Sequence, residues 1–102
     1  MKVREIVGFM KAKYLVVVER GDKNCSAFSP DLPGCVATGE TIESTIENMR
    51  EAIPFHLEGM IENGETIPKP RNLYFYIHES DEISENDILT TVEADVPEVE
   101  YA

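Results

Sequence analysis

Apolar and polar positions change their period along the 102-residue chain, and the changes mark out a strand-rich first part, a helical middle and a mixed end. Residues 14–19 (Tyr-Leu-Val-Val-Val-Glu) are β-branched and aromatic enough for a well-packed strand, and residues 20–24 (Arg-Gly-Asp-Lys-Asn) follow as a polar turn. Residues 25–29 and 35–38 read as the second and third strands of an antiparallel meander. The prolines flanking Asp31-Leu32, with Gly34 closing the turn, reverse the chain between them, because proline presets φ and glycine tolerates the left-handed region. Residues 4–10 have room for a further edge strand.

The period then becomes helical. Thr41 can cap the exposed amides of a first turn, and Glu43 suits the positive end of the helix dipole. Ile42, Ile46, Met49, Ile53, Leu57 and Met60 follow at steps of three and four, one apolar stripe that should cover a face of the sheet. Glu43, Glu47, Arg50, Glu51, Glu58 and Glu62 form the opposite, solvated face. Asn63-Gly64 ends the helix, and Pro68 and Pro70 prevent its resumption. Pro54 removes one helical hydrogen bond, so a bend near residues 50–54 is expected. Beyond the prolines, residues 73–77 (Leu-Tyr-Phe-Tyr-Ile) read as a strand. Residues 88–99 have strand-like composition interrupted by Asp95 and Pro97, which suits an edge strand on a neighbouring subunit or a mobile segment. The expected fold is α+β, a two-layer β-β-β-α-β domain with one long helix on a small, mostly antiparallel sheet. The expected organisation is a domain over residues 1–78 and an acidic extension over 79–102 holding the edge strand at 88–99. Open sheet edges of this kind are commonly closed by homodimerisation or a higher homo-oligomer.

Charge refines this picture. The net charge is -11, yet residues 79–102 hold nine acids and no Lys or Arg, while all nine basic residues lie in residues 1–78. An acidic tail repels phosphate backbones, so a basic protein is a more natural partner than nucleic acid. No apolar run approaches the roughly 20 residues of a membrane span, and the amino terminus lacks a signal-peptide core, so a cytoplasmic protein with no membrane role is expected. Cys25 and Cys35 do not suit a disulfide: a hairpin turning at Leu32 sets Cys25 opposite Gly39 and Cys35 opposite Ser29, too far apart along the strands. Reduced thiols in or near the core fit a cytosolic address.

Catalytic chemistry has little to stand on. A pair such as Glu19 with Asp31 could hold a divalent ion, as in a residual metal-dependent nuclease, but Asp31 is an ordinary turn residue and Glu19 an ordinary strand end. Cys35 after Pro33-Gly34 looks like a nucleophile without a base, since His56 falls mid-helix beside the stripe and His78 ends the predicted strand. Core packing explains Cys35 better. No metal cluster, glycine-rich phosphate loop or cofactor motif is present in the sequence, so no catalytic, metal or cofactor residues are expected.

Taken as one string, the turn Asp31-Leu32-Pro33-Gly34-Cys35, the helix start Gly39-Glu40-Thr41, the helix positions Asn48 and Ala52 within Asn-Met-Arg-Glu-Ala-Ile, and residues 64–70 (Gly-Glu-Thr-Ile-Pro-Lys-Pro) resemble the HicB-like antitoxins over about residues 14–78. The resemblance implies a partial ribonuclease H-like domain without the catalytic acids. It implies a partner too: a HicA-like toxin, small, basic and mRNA-cleaving, whose active histidine the antitoxin blocks. Such antitoxins usually carry a DNA-binding module after this domain; the acidic residues after His78 depart from that pattern, so the resemblance is to a stand-alone domain. The alternative is an orphan regulatory or scaffold dimerisation module that has no toxin.

Overall fold

A computed structural model of the protein describes residues 4–101. In chain order the elements are β1 (Arg4–Arg20), β2 (Cys25–Phe28), β3 (Val36–Gly39), α1 (Ile42–Glu62), α2 (Leu73–Glu79) and β4 (Ile88–Tyr101). The four strands make one antiparallel sheet in the order β3-β2-β1-β4. The α+β class and the long helix on a small antiparallel sheet are as the sequence implies.

Within the meander, Cys25 pairs with Gly39 and Phe28 with Val36, and the Ser29 amide donates to the Cys35 carbonyl at 3.3 Å, the register deduced from a turn at Leu32. Both cysteines are free and buried. Gly34 stands at φ +86°, the left-handed conformation that the turn demands of it. Alternation along β1 feeds two cores. Tyr14, Val16 and Val18 meet Met49, Ile53, Leu57 and Met60 of α1, while Leu15 and Val17 meet Tyr76 of α2 on the other face. The α1 stripe is buried from Met49 to Met60 as its spacing predicts, and the helix continues through Pro54, which lies on its exposed side.

Three expectations change. The separate strands anticipated at residues 4–10 and 14–19 are one 17-residue strand. Residues 73–77 are helical: the Asn72 carboxamide oxygen accepts from the Phe75 amide at 2.9 Å and caps α2, whose Tyr76 is buried while Leu73, Tyr74 and Ile77 stay exposed. Composition favoured a strand there, but β4 already occupies the place beside β1, so tertiary packing overrides local preference. Residues 88–101 are an edge strand of this chain's own sheet, paired with β1 from Val18↔Ile88 to Arg4↔Tyr101. Residue 78 is therefore no boundary of the sheet, and Val92 and Ala94 belong to the core. Pro97 and Asp95, which seemed to interrupt the strand, are accommodated because an edge strand can leave an amide unpaired and send an acid to solvent.

β2 pairs only with residues 17–20 of β1, so the amino-terminal half of β1 and the end of β4 continue as a two-stranded ribbon. It contributes to a long axis of 49 Å against 29 and 20 Å for the other two.

Candidate functional site

The residues carrying the family-like pattern lie along the β2–β3 hairpin and on α1, which packs against it, with Asp31 at the turn joined to α2. Thr41 caps α1 by accepting from the Ser44 amide, and the Ser44 hydroxyl accepts in return from the Thr41 amide, both at 3.0 Å. Gly39 is held to hydrogen by crowding, since a Cβ there would lie 2.6 Å from the Thr45 hydroxyl oxygen. Asn48 donates to the Thr38 carbonyl at 2.7 Å, tying α1 to β3, and Ala52 is half-buried beside the core. Leu32 is fully buried; Pro33 is exposed.

Asp31 does more than turn the chain. It is buried, its Oδ1 accepts from the Tyr76 hydroxyl, and its Oδ2 accepts from the Arg71 amide at 3.1 Å. Burial first, then this hydrogen bond, drives the Tyr76 pKa far above its ordinary value, so the phenol is a fixed donor. Tyr14, also raised chiefly by burial, donates to the Pro68 carbonyl at 3.0 Å. Asp31 thus straps the hairpin tip to Arg71 and to Tyr76 of α2, while Tyr14 ties β1 to the connection between the helices at Pro68. Nothing in the sequence announced that strap, because its partners stand 40 and 45 residues from the turn.

The structure keeps Glu19 apart from Asp31 and brings Cys35 near His56. Glu19 is exposed and lines a cleft with Arg20, Ser84, Asn86 and Asp87, without Asp31. Among the described residues, no three His, Cys, Asp or Glu side chains gather as metal ligands would. Cys35 and His56, remote in sequence, do line one shallow groove with Gly34, Val36, Ala52 and Phe55. Burial pushes the Cys35 thiol pKa up, the opposite of what a thiolate nucleophile requires.

What distinguishes the surface is apolar exposure beside acid. Phe55 is 78% exposed on α1 and Val36 64% exposed on β3. The outer face of α1 presents Glu43, Glu47, Glu51, Glu58 and Glu62, against one base, Arg50, which pairs with Glu47 at 2.9 Å. A second apolar area is the ribbon, where Ile6, Val7, Phe9 and Met10 are each more than half exposed.

A profile of the family described as "HicB_like antitoxin of bacterial toxin-antitoxin system" matches residues 14–101. An uncharacterised 14.9 kDa protein of Haemophilus phage HP1 is 34% identical over 83 residues, 81% of this chain; the match spans 61% of the phage protein's length. A UPF0150 protein of Synechocystis sp. is 39% identical over 57 residues, covering 55% of this chain and 72% of that protein. Among solved structures, the N-terminal domain of the Burkholderia pseudomallei antitoxin HicB superposes with a TM-score of 0.70 at 28% identity, over 82% of this chain and 99% of that domain. A chain of a HicA3 and HicB3 toxin-antitoxin complex gives a TM-score of 0.65 at 26% identity, over 78% of this chain and 94% of that one.

Proposed function

Because the chain belongs to the HicB-like antitoxin family of bacterial toxin-antitoxin systems, we propose that it binds and neutralises a small basic HicA-type toxin that cleaves mRNA. The observation that carries this reading is the likeness to a chain of the HicA3 and HicB3 complex over nearly that chain's whole length. Inhibition is by cover and charge: an acidic, apolar-centred surface occludes a basic RNA-binding one, and no chemistry by the antitoxin is required. The site of action is the cytoplasm, where mRNA is translated. No helix among the described residues is long and apolar enough to cross a membrane. Co-expression tests the proposal. Growth arrested by a HicA-type toxin from the same genome should be restored, and the two proteins should co-purify. Persistent arrest with the folded chain present in excess would sink it.

Self-association belongs to the same proposal. A two-stranded ribbon is marginal alone in water, and this one exposes apolar residues and two unpaired edges. β4 carries Glu98 and Glu100 beside Glu93 and Asp95, which share the one ammonium of Lys11 at 3.5 Å, so two β4 edges meet with a net excess of like charge. The amino half of β1 mixes Glu5 with Lys11 and Lys13, and an antiparallel pairing centred on Gly8 sets Glu5 of one copy opposite Lys11 of the other. These features support a homodimer closed through β1. Light scattering should give about twice the 11.5 kDa chain mass, and Phe9→Ser with Met10→Ser should return it to monomer. A monomeric parent protein at tens of micromolar excludes the dimer.

A further inference from the structure

We infer that the groove between β3 and α1, centred on Phe55 and Val36, is the surface that captures the basic protein partner, with Phe55 as its apolar anchor. The inference rests on the antitoxin reading and assigns it to particular residues.

Phe55 has no packing duty: it is the most exposed large apolar residue among those described, on a helix whose other face fills the core. Helix geometry explains the arrangement around it. At about 100° per residue, Asn48, Ala52, Gly59 and His56 fall on the side of Phe55 that turns toward β3. Glu51, Glu58 and Glu62 fall on the side that turns to solvent, with Glu47 beyond them. The β3 side of Phe55 forms the groove, floored by Gly34, Cys35 and Ala52 and walled by Val36 and His56. Its other side is a row of carboxylates, of which Glu47 alone pairs with a base among the described residues.

This pattern selects one occupant. An exposed aromatic beside a concavity is the form of an interface anchor. The glutamates repel nucleic-acid phosphates and anionic lipid headgroups alike. They also oppose a second copy, because two such helices facing each other would bring like charges together. A protein surface that is basic, with an apolar side chain to seat between Phe55 and Val36, satisfies both halves. β3 is moreover the outermost strand at its end of the sheet, so an extended segment of the partner can add main-chain hydrogen bonds there.

The test measures binding of the full chain to a catalytically disabled HicA-type toxin from the same genome. Phe55→Ser, at a solvent-exposed position, should leave circular dichroism and melting unchanged and weaken binding about thirty-fold or more. Glu51→Lys with Glu58→Lys should slow association about tenfold at low salt and flatten its salt dependence. Tyr74→Ser, on the exposed face of α2, should change nothing. Tight binding by the parent chain that survives Phe55→Ser and the charge reversal overturns the groove and leaves the antitoxin reading intact. Loss through Tyr74→Ser alone overturns it in favour of α2, and failure of the parent chain to bind overturns both readings.

Discussion

The Asp31 carboxylate holds one hydroxyl and one amide from a segment forty or more residues away, in a setting from which water is largely excluded. Removing the phenol hydroxyl leaves one carboxylate oxygen without its donor, so Tyr76→Phe should cost about 1–3 kcal/mol of stability near neutral pH. The cost depends on pH in a defined direction. The folded state raises the Tyr76 pKa above the phenol's ordinary 10, so the stabilisation is complete below pH 10 and declines as pH rises further, where only the unfolded chain loses the proton. Urea midpoints from pH 8 to 11 should therefore show the gap between the parent protein and Tyr76→Phe narrowing above pH 10. A constant gap would mean that folding leaves the Tyr76 pKa unshifted. Gly39 is a second residue whose identity is dictated by a neighbour. Gly39→Ala drives a methyl into the Thr45 hydroxyl and amide, and overpacking of that kind should lower stability by about 1–3 kcal/mol, read as a reduced urea midpoint at unchanged slope.

At the scale of elements, legibility followed how local the cause was. The hairpin register and the apolar stripe of α1 depend on turn chemistry and period, and both could be read from neighbouring residues. The strap between Asp31 and Tyr76 and the groove between Val36 and Phe55 join positions far apart in sequence, so no spacing revealed them. Residues 73–77 carry two opposed local signals. Leu, Tyr, Phe, Tyr and Ile have strand composition, yet Asn72 stands as a ready N-cap directly before them, and the cap together with the packing of Tyr76 prevails. The cap is testable: Asn72→Ala should remove about 1 kcal/mol, concentrated in α2. Hydrogen exchange should then quicken at the amides of α2 while those of α1 keep their protection. Equal loosening of both helices would show that α2 opens only together with α1, as part of one cooperative unit.

For the molecule as a whole, the acidic carboxy-terminal quarter, residues 79–102, has two parts with different physics. Residues 80–87 link α2 to β4, and Asp81, Glu82 and Glu85 are exposed there, as is Glu79 at the end of α2. Residues 88–101 are a strand whose Val92 and Ala94 are buried and which pairs with β1 along the length of the molecule. Deleting residues 88–102 should therefore unfold the protein, because it strips β1 of its partner and opens the core under α1. Circular dichroism should lose the α1 signal together with the sheet. Neutralising these exposed acids, with Glu79→Gln, Asp81→Asn, Glu82→Gln and Glu85→Gln, touches no buried group and should leave the melting temperature within a few degrees. The same neutralised protein should associate more slowly with a basic partner at low ionic strength and at nearly the parental rate in high salt, since exposed charges act over about 10 Å at 0.1 M salt. A truncated chain that keeps its helical signal would place β4 outside the cooperative fold. Neutralisation that alters association equally at all salt concentrations would mean that these acids make direct contacts with the partner, and steering by the long-range field would then rest with α1 alone.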